Sequence, residues 1–193
     1  MSFLGLSYSE IYTNVDTNNR GNPMAKRRLS AATIAAQAGG YIDQASGGVV
    51  PPIQPSTTFV RDRDYAPHAS GNIYARDDSD TVQIAENILA QLDAAQAALL
   101  FPNGMAAIAA VFRALPTGAT VLVQAQIYWG TTKWVRDFCN RRGMVLVEGD
   151  LSKLDIIEKL CAHHEPNMVF IETPSNPWLR CTDIAHAAKT VHN

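Results

Sequence analysis

Beyond residue 80 the apolar positions of this chain alternate between two rhythms. Val82, Ala85, Ile88, Leu89 and Leu92 recur three or four residues apart and predict one face of a helix, with Asp80 as its cap and Gln83 at the third position. Short apolar runs at 97–101, 120–124, 144–148 and 168–172 predict strands. Helical stretches lie between them at 105–115 and 131–142. A further helix is capped by Ser152 and carries an Asp155–Lys159 pair one turn apart. A last helix starts at Thr182 and should lead into another strand. Alternation of this kind predicts an α/β fold: a mainly parallel sheet flanked by helices on both faces.

Before residue 80 the rhythm is lost. Gly39-Gly40, Gly47-Gly48 and Pro51-Pro52 punctuate the segment, and Thr57-Thr58-Phe59-Val60 is its best short strand. A long irregular segment of this kind is functional or wraps something, and an arm lying on a partner subunit explains it. Residues 1–23 are rich in Asn, Ser and Thr without a period, so a disordered extension is expected there, with Met24 as the translation start. Lys26-Arg27-Arg28 reads as a solvated arm in preference to a targeting signal. The expected organisation is therefore an extension over 1–23, an arm over 24–80, and the first part of an incomplete large domain over 81–193.

Composition narrows the function classes. A formal charge of −2 over 193 residues offers no field for nucleic acid or an anionic membrane. No apolar run reaches the roughly 18–20 residues of a membrane span. Three cysteines, Cys139, Cys161 and Cys181, form no CxxC and fit a reducing cytoplasm. Cys161, His163, His164, Cys181, His186 and His192 cluster loosely, but their ordinary reading is surface histidines and a core cysteine, so no metal site is assigned.

In open α/β sheets the chemistry collects at the carboxyl ends of the strands. Three such ends carry suggestive residues. At Phe101-Pro102-Asn103-Gly104-Met105, Gly104 and Met105 place free amides at a helix N-terminus, where the orphan donors and the helix dipole favour a phosphate. Neither GxGxxG nor GxxxxGK[ST] occurs, which removes the main support for a nucleotide. At Ile127-Tyr128-Trp129-Gly130, Tyr128 is an aromatic able to stack on a flat ring. At Glu172-Thr173-Pro174-Ser175-Asn176-Pro177, Asn176 offers a donor and an acceptor between two prolines that restrict its backbone. Taken singly, their ordinary readings are a βα connection, a packing residue and a turn.

In this order and spacing they resemble the N-terminal half of the pyridoxal-phosphate-dependent enzymes of Cys/Met metabolism, the group of cystathionine γ-synthase, cystathionine β- and γ-lyase and methionine γ-lyase. The resemblance covers about residues 30–193. It rests on Ala38-Gly39, Gly47-Gly48-Val49-Val50-Pro51-Pro52-Ile53, Ser56-Thr57-Thr58-Phe59, Tyr74-Ala75-Arg76, Asn103-Gly104-Met105-Ala106-Ala107, Tyr128-Trp129-Gly130 and the 172–177 signature. It implies the large domain of fold-type I, the aspartate aminotransferase-like fold, with pyridoxal 5′-phosphate as cofactor. It also implies a sulfur-containing amino acid as substrate, a homo-oligomer built as a dimer of dimers, and elimination at Cβ or Cγ (a carbon–sulfur lyase) or γ-replacement (a synthase). By the same resemblance Gly104 and Met105 give amides to the phosphate, Tyr128 stacks on the pyridine ring, and Asn176 lies near the ring oxygen and the substrate carboxylate. Tyr74 and Arg76 reach the phosphate of a neighbouring subunit. Tyr128 and Tyr74 also take part in proton transfer.

Two departures stand out. The family follows Tyr-x-Arg with Asn-Pro-Thr, where this chain has Ser79-Asp80-Thr81, which puts the helix entry in doubt. Trp129 stands where the family has Gly or another small residue, and is expected to narrow the substrate pocket. The family's Schiff-base lysine, in a Ser-x-Thr-Lys turn, and the Asp that partners the pyridine nitrogen are not found among these residues. Lys26, Lys133, Lys153, Lys159 and Lys189 all stand in other contexts. The expectation is that the 193-residue chain alone is inactive. Competing readings are a fragment acting only as a binding subunit, and a different α/β enzyme that uses a nucleotide.

Overall fold

The computed structural model describes residues 29–68 and 70–192. The expectations for 1–23, Met24, Lys26, Arg27 and Arg28 lie outside the described residues. The chain divides into two compact units between Leu99 and Leu100.

In the first unit, helix α1 (Ala31–Ala36) opens on Ser30, whose hydroxyl accepts from the Thr33 amide. A single 3-10 turn, Ala38–Gly40, follows and packs with α1 against helix α2 (Asp80–Leu92). Gly39 is needed there for its backbone conformation, and a larger residue would also have to displace the Gln91 amide. Its φ is 67°, and a Cβ would lie 2.6 Å from Gln91 Nε2. The segment 57–60 makes one antiparallel bridge, Thr58 to Tyr74, instead of the expected strand. The paired segment turns away at once, the Asp77 amide donating to the Tyr74 carbonyl, so no ladder can extend.

The entry to α2 departs from expectation in an informative way. Ser79, not Asp80, is the cap: its hydroxyl accepts from the Val82 amide. Asp80 is the first helical residue and accepts from the buried Asn72 side chain, while Gln83 Nε2 donates to Asp78 at 2.7 Å and to Asn72. Where the family has Asn then Pro, this chain has Ser then Asp. Ser replaces Asn as an equally good cap, and an acidic residue in the first turn suits the helix dipole. The helix entry is therefore intact. Ser79→Ala is expected to cost about 1 kcal/mol, read as a lower urea midpoint with an unchanged slope.

In the second unit, β1 (Thr120–Gln124), β2 (Val145–Gly149) and β3 (Met168–Phe170) form a parallel sheet in the order β2-β1-β3. Four helices accompany it: α3 (Gly104–Ala114), α4 (Trp129–Arg141), α5 (Leu154–His164) and α6 (Ile184–His192). The two-residue period of β1 divides the core. Val121 and Val123 join Phe112, Ile127, Val135 and Cys139 on one face, and Leu122 joins Leu151, Ile157 and Ala187 on the other. The expected α/β architecture is the one observed.

Three local expectations need correction. Residues 97–101 form no strand, because a strand exists only where a neighbour supplies its ladder and β1 is flanked by β2 and β3. Ser152 does not cap α5. Its hydroxyl donates to Asp150 at 2.6 Å, and Lys153 occupies the cap position. β3 stops at Phe170, two residues early, because its pairing with β1 ends at Val123–Phe170. The Asp155–Lys159 pair forms as expected, at 3.0 Å.

Candidate active site

β2 and β3 both follow β1 in the chain and pair on opposite edges of it, so the carboxyl ends of β1 and β3 form a switch point where an open α/β sheet leaves a crevice. The candidate residues of the second unit gather there. At the start of α3, the Asn103 side chain accepts from the Ala106 amide at 2.8 Å, which satisfies the third amide of the helix. Among the described residues, no hydrogen bond engages the amides of Gly104 and Met105. A Cβ added to Gly104 would meet no atom within 4 Å, so there is open space beside the first residue of α3. A phosphate group fits this donor set.

The start of α4 lies beside it. Thr131, fully buried, directs its hydroxyl to Met105 Sδ at 3.7 Å. Tyr128 precedes α4 with its ring partly exposed, and that ring lies against Gly130: a Cβ there would come within 2.6 Å of Tyr128 Cε1. Gly130 is thus the residue that lets the aromatic face settle over the helix start. Gly130→Ala is expected to tilt the ring away and to weaken binding of a flat aromatic ligand several-fold with little loss of stability. An unshifted Tyr128 ring resonance in the variant would refute this.

The third element is tied to the second by Glu172. One carboxylate oxygen accepts from the Tyr128 amide at 3.0 Å and from the Asn176 amide at 2.8 Å. The early end of β3 makes this possible, since Glu172 has left the ladder and can turn across the end of β1. Within the 172–177 motif, the sequence alone assigns Glu172 no role. Its signal was a carboxylate at a strand end beside an amide-rich loop. Asn176 itself is exposed, and its neighbour Ser175 is completely buried. Gly104, Met105, Tyr128 and Asn176 are therefore linked through Thr131 and Glu172.

Tyr74 and Arg76 belong to the first unit, where they pair with each other. The Arg76 guanidinium donates to the Tyr74 hydroxyl at 3.1 Å and sits 5.0 Å from the ring centroid. Trp129 lines a cleft of about 660 Å³ with Gln126, Lys133, Arg136 and Glu148, on another flank of α4. Lys133 is about 200° around that helix from Thr131. Burial raises the thiol pKa of Cys139 and of Cys161, which keeps both protonated. Among the described residues no helix is long and apolar enough to cross a membrane.

The chain is similar to known proteins over most of its length. The model of the Cys/Met metabolism PLP-dependent enzyme family matches residues 32–193. Cystathionine gamma-lyase of Sus scrofa is 36% identical over 163 residues, which cover 83% of this chain and 39% of that protein. The cystathionine gamma-synthase/O-acetylhomoserine (thiol)-lyase of Bacillus subtilis (strain 168) is 31% identical over 159 residues, 81% of this chain and 41% of that protein. Among solved structures, cystathionine gamma synthase from Xanthomonas oryzae pv. oryzae, in complex with cystathionine, superposes with a TM-score of 0.73 at 32% identity, covering 84% of this chain and 43% of that one. The chain thus spans about two fifths of the length of these relatives. It belongs to the family of pyridoxal-phosphate-dependent enzymes of cysteine and methionine metabolism.

Proposed function

We propose that this chain supplies the phosphate-holding and ring-stacking side of a pyridoxal 5′-phosphate site in an enzyme of transsulfuration. Its substrate class is the sulfur amino acids, cystathionine among them, cleaved by β- or γ-elimination. A γ-replacement synthase uses the same residues, and relatives of both names match the chain. The observation that carries the reading is the Glu172 carboxylate, which clamps the Tyr128 and Asn176 loops into one wall beside the Gly104 and Met105 amides of α3.

When bound, the cofactor serves as an electron sink for the charge left at the substrate Cα. The chain's own residues bind and orient. The Gly104 and Met105 amides, at the positive end of α3, hold the phosphate. The Tyr128 ring would stack on the pyridine, and its hydroxyl would hold a proton for transfer. Asn176, anchored by its own amide, presents its carboxamide to the ring oxygen and the substrate carboxylate. Tyr74 and Arg76, already paired, are assigned to the phosphate of a second subunit, with Tyr74 assisting proton transfer there. Exposed apolar residues Val49, Val50, Ile53 and Val60 support the assignment of residues 24–80 as an arm on a homo-oligomeric partner. The free cysteines support a cytoplasmic setting.

The lysines support a non-covalent role for the 193-residue polypeptide. Lys133 points away from Thr131, Lys153 and Lys159 face Asp150 and Asp155, and Lys189 is exposed on α6. Pyridoxal phosphate is expected to bind weakly, with ADP not binding, and borohydride is expected to fix no stoichiometric label. A single fully labelled lysine overturns the non-covalent assignment. Failure to bind pyridoxal phosphate at millimolar concentration overturns the site.

A further inference from the structure

We infer that Asp150 and Arg180 form a positioning strut that sets the Ser175–Asn176 loop over the carboxyl end of β1. The inference rests on the cofactor reading above and names residues that the reading does not use. Asp150 follows β2 directly, and Arg180 lies beyond β3. Because the sheet order is β2-β1-β3, these two segments leave the sheet on opposite sides of β1. The Arg180 Nη1 to Asp150 Oδ2 bond, at 2.9 Å, therefore spans the end of the central strand.

Both ends of the strut are held. The other Asp150 oxygen accepts from the Ser152 hydroxyl at 2.6 Å, and the Lys153 ammonium lies 3.9 Å from Oδ2. The Ser152 hydrogen bond holds the Asp150 carboxyl below the usual carboxylate range; burial opposes it, and the charges of Arg180 and Lys153 add smaller effects in the same direction as Ser152. At the far end, the Arg180 backbone closes the loop. The Ser175 amide donates to the Arg180 carbonyl at 2.9 Å, and the Arg180 amide donates to Ser175 Oγ at 3.1 Å. Ser175 is completely buried, so it cannot shift unless Arg180 shifts with it, and Asn176 is the next residue. A second tie runs alongside: the Thr182 amide donates to Thr173 Oγ1, and the Thr182 hydroxyl to Gln124 Oε1 at the end of β1.

The pair is partly solvated, with 39% of the Arg180 side chain and 25% of the Asp150 side chain exposed. A pair of that kind adds little to global stability. Its effect is directional, which separates it from the core residues. The test is hydrogen exchange at the Ser175, Asn176 and Leu179 amides, together with the pyridoxal phosphate dissociation constant, in Arg180→Ala, Arg180→Lys, Asp150→Asn and the exchanged pair Asp150→Arg/Arg180→Asp. Expected are a tenfold or greater rise in loop exchange and about tenfold weaker binding in Arg180→Ala. The urea midpoint and the β1 amides should be unchanged, with partial recovery in Arg180→Lys and in the exchanged pair. Unchanged loop exchange in both Arg180→Ala and Asp150→Asn overturns the strut, and so does raised exchange with unchanged affinity. If the wild-type chain does not bind the cofactor, the cofactor reading fails, and loop exchange still decides whether the strut exists.

Discussion

Phe112→Ala is expected to lower the unfolding free energy of the chain by about 3–5 kcal/mol, the range for deleting a large aromatic side chain from a packed core. Phe112 is completely buried in the last turn of α3. Its ring meets Trp134 of α4 edge-on at 5.8 Å and the Phe170 ring of β3 at 5.6 Å. One side chain thus fastens α3 to both elements whose ends build the site. A domain's whole stability is about 5–15 kcal/mol, so the loss is a large share of it. Urea unfolding of the variant should show a much lower midpoint. Phe112→Leu, which retains most of the volume, should fall between the two. A midpoint within experimental error of wild type in the alanine variant would show that the packing of α3 does not support the fold.

Glu172→Ala has the second large effect, and a different signature. Two backbone amides lose a charged acceptor at once. Hydrogen bonds to charged groups contribute about 1.5–3 kcal/mol each when buried, and Glu172 is only half-buried, so water recovers part of the loss. The net expectation is about 1–3 kcal/mol in stability and at least tenfold weaker binding of pyridoxal phosphate, because the Tyr128 and Asn176 loops separate. Glu172→Gln preserves an acceptor oxygen for both amides and should keep most of the stability and affinity. The comparison separates charge from hydrogen bonding: if glutamine is as damaging as alanine, the negative charge itself holds the loops. If neither variant changes cofactor affinity, the clamp does not shape the site.

Much of the second unit was legible in the chain. The run at 120–124 became β1 without change of boundary, and the helix expected at 105–115 became Gly104–Ala114. Both are long or strongly patterned segments whose faces are buried, so local preference and tertiary packing agree. The misses share a cause. Residues 97–101 have the composition of a strand, yet pairing depends on what lies alongside. Thr57-Thr58-Phe59-Val60 met a segment that turned away after one bridge. Ser152 had the right chemistry for a helix cap, but α5 begins at Leu154, so Ser152 stands one residue before the cap and its hydroxyl turns back to Asp150.

The amino-acid sequence by itself determined the α/β class, the order of the helices and strands that form, and the family, because these follow from hydrophobic periodicity and from residue types at set spacings. It also named Gly104, Met105, Tyr128 and Asn176 as candidates. Only the tertiary structure decided how those four are joined. Thr131 and Met105 are 26 residues apart in the chain, Tyr128 and Glu172 are 44 apart, and Asp150 and Arg180 are 30 apart. No local pattern encodes such contacts. They arise because the parallel crossovers β1-α4-β2 and β2-α5-β3 return the chain to the same end of the sheet, where a carboxylate leaving one strand can reach the amides that follow another.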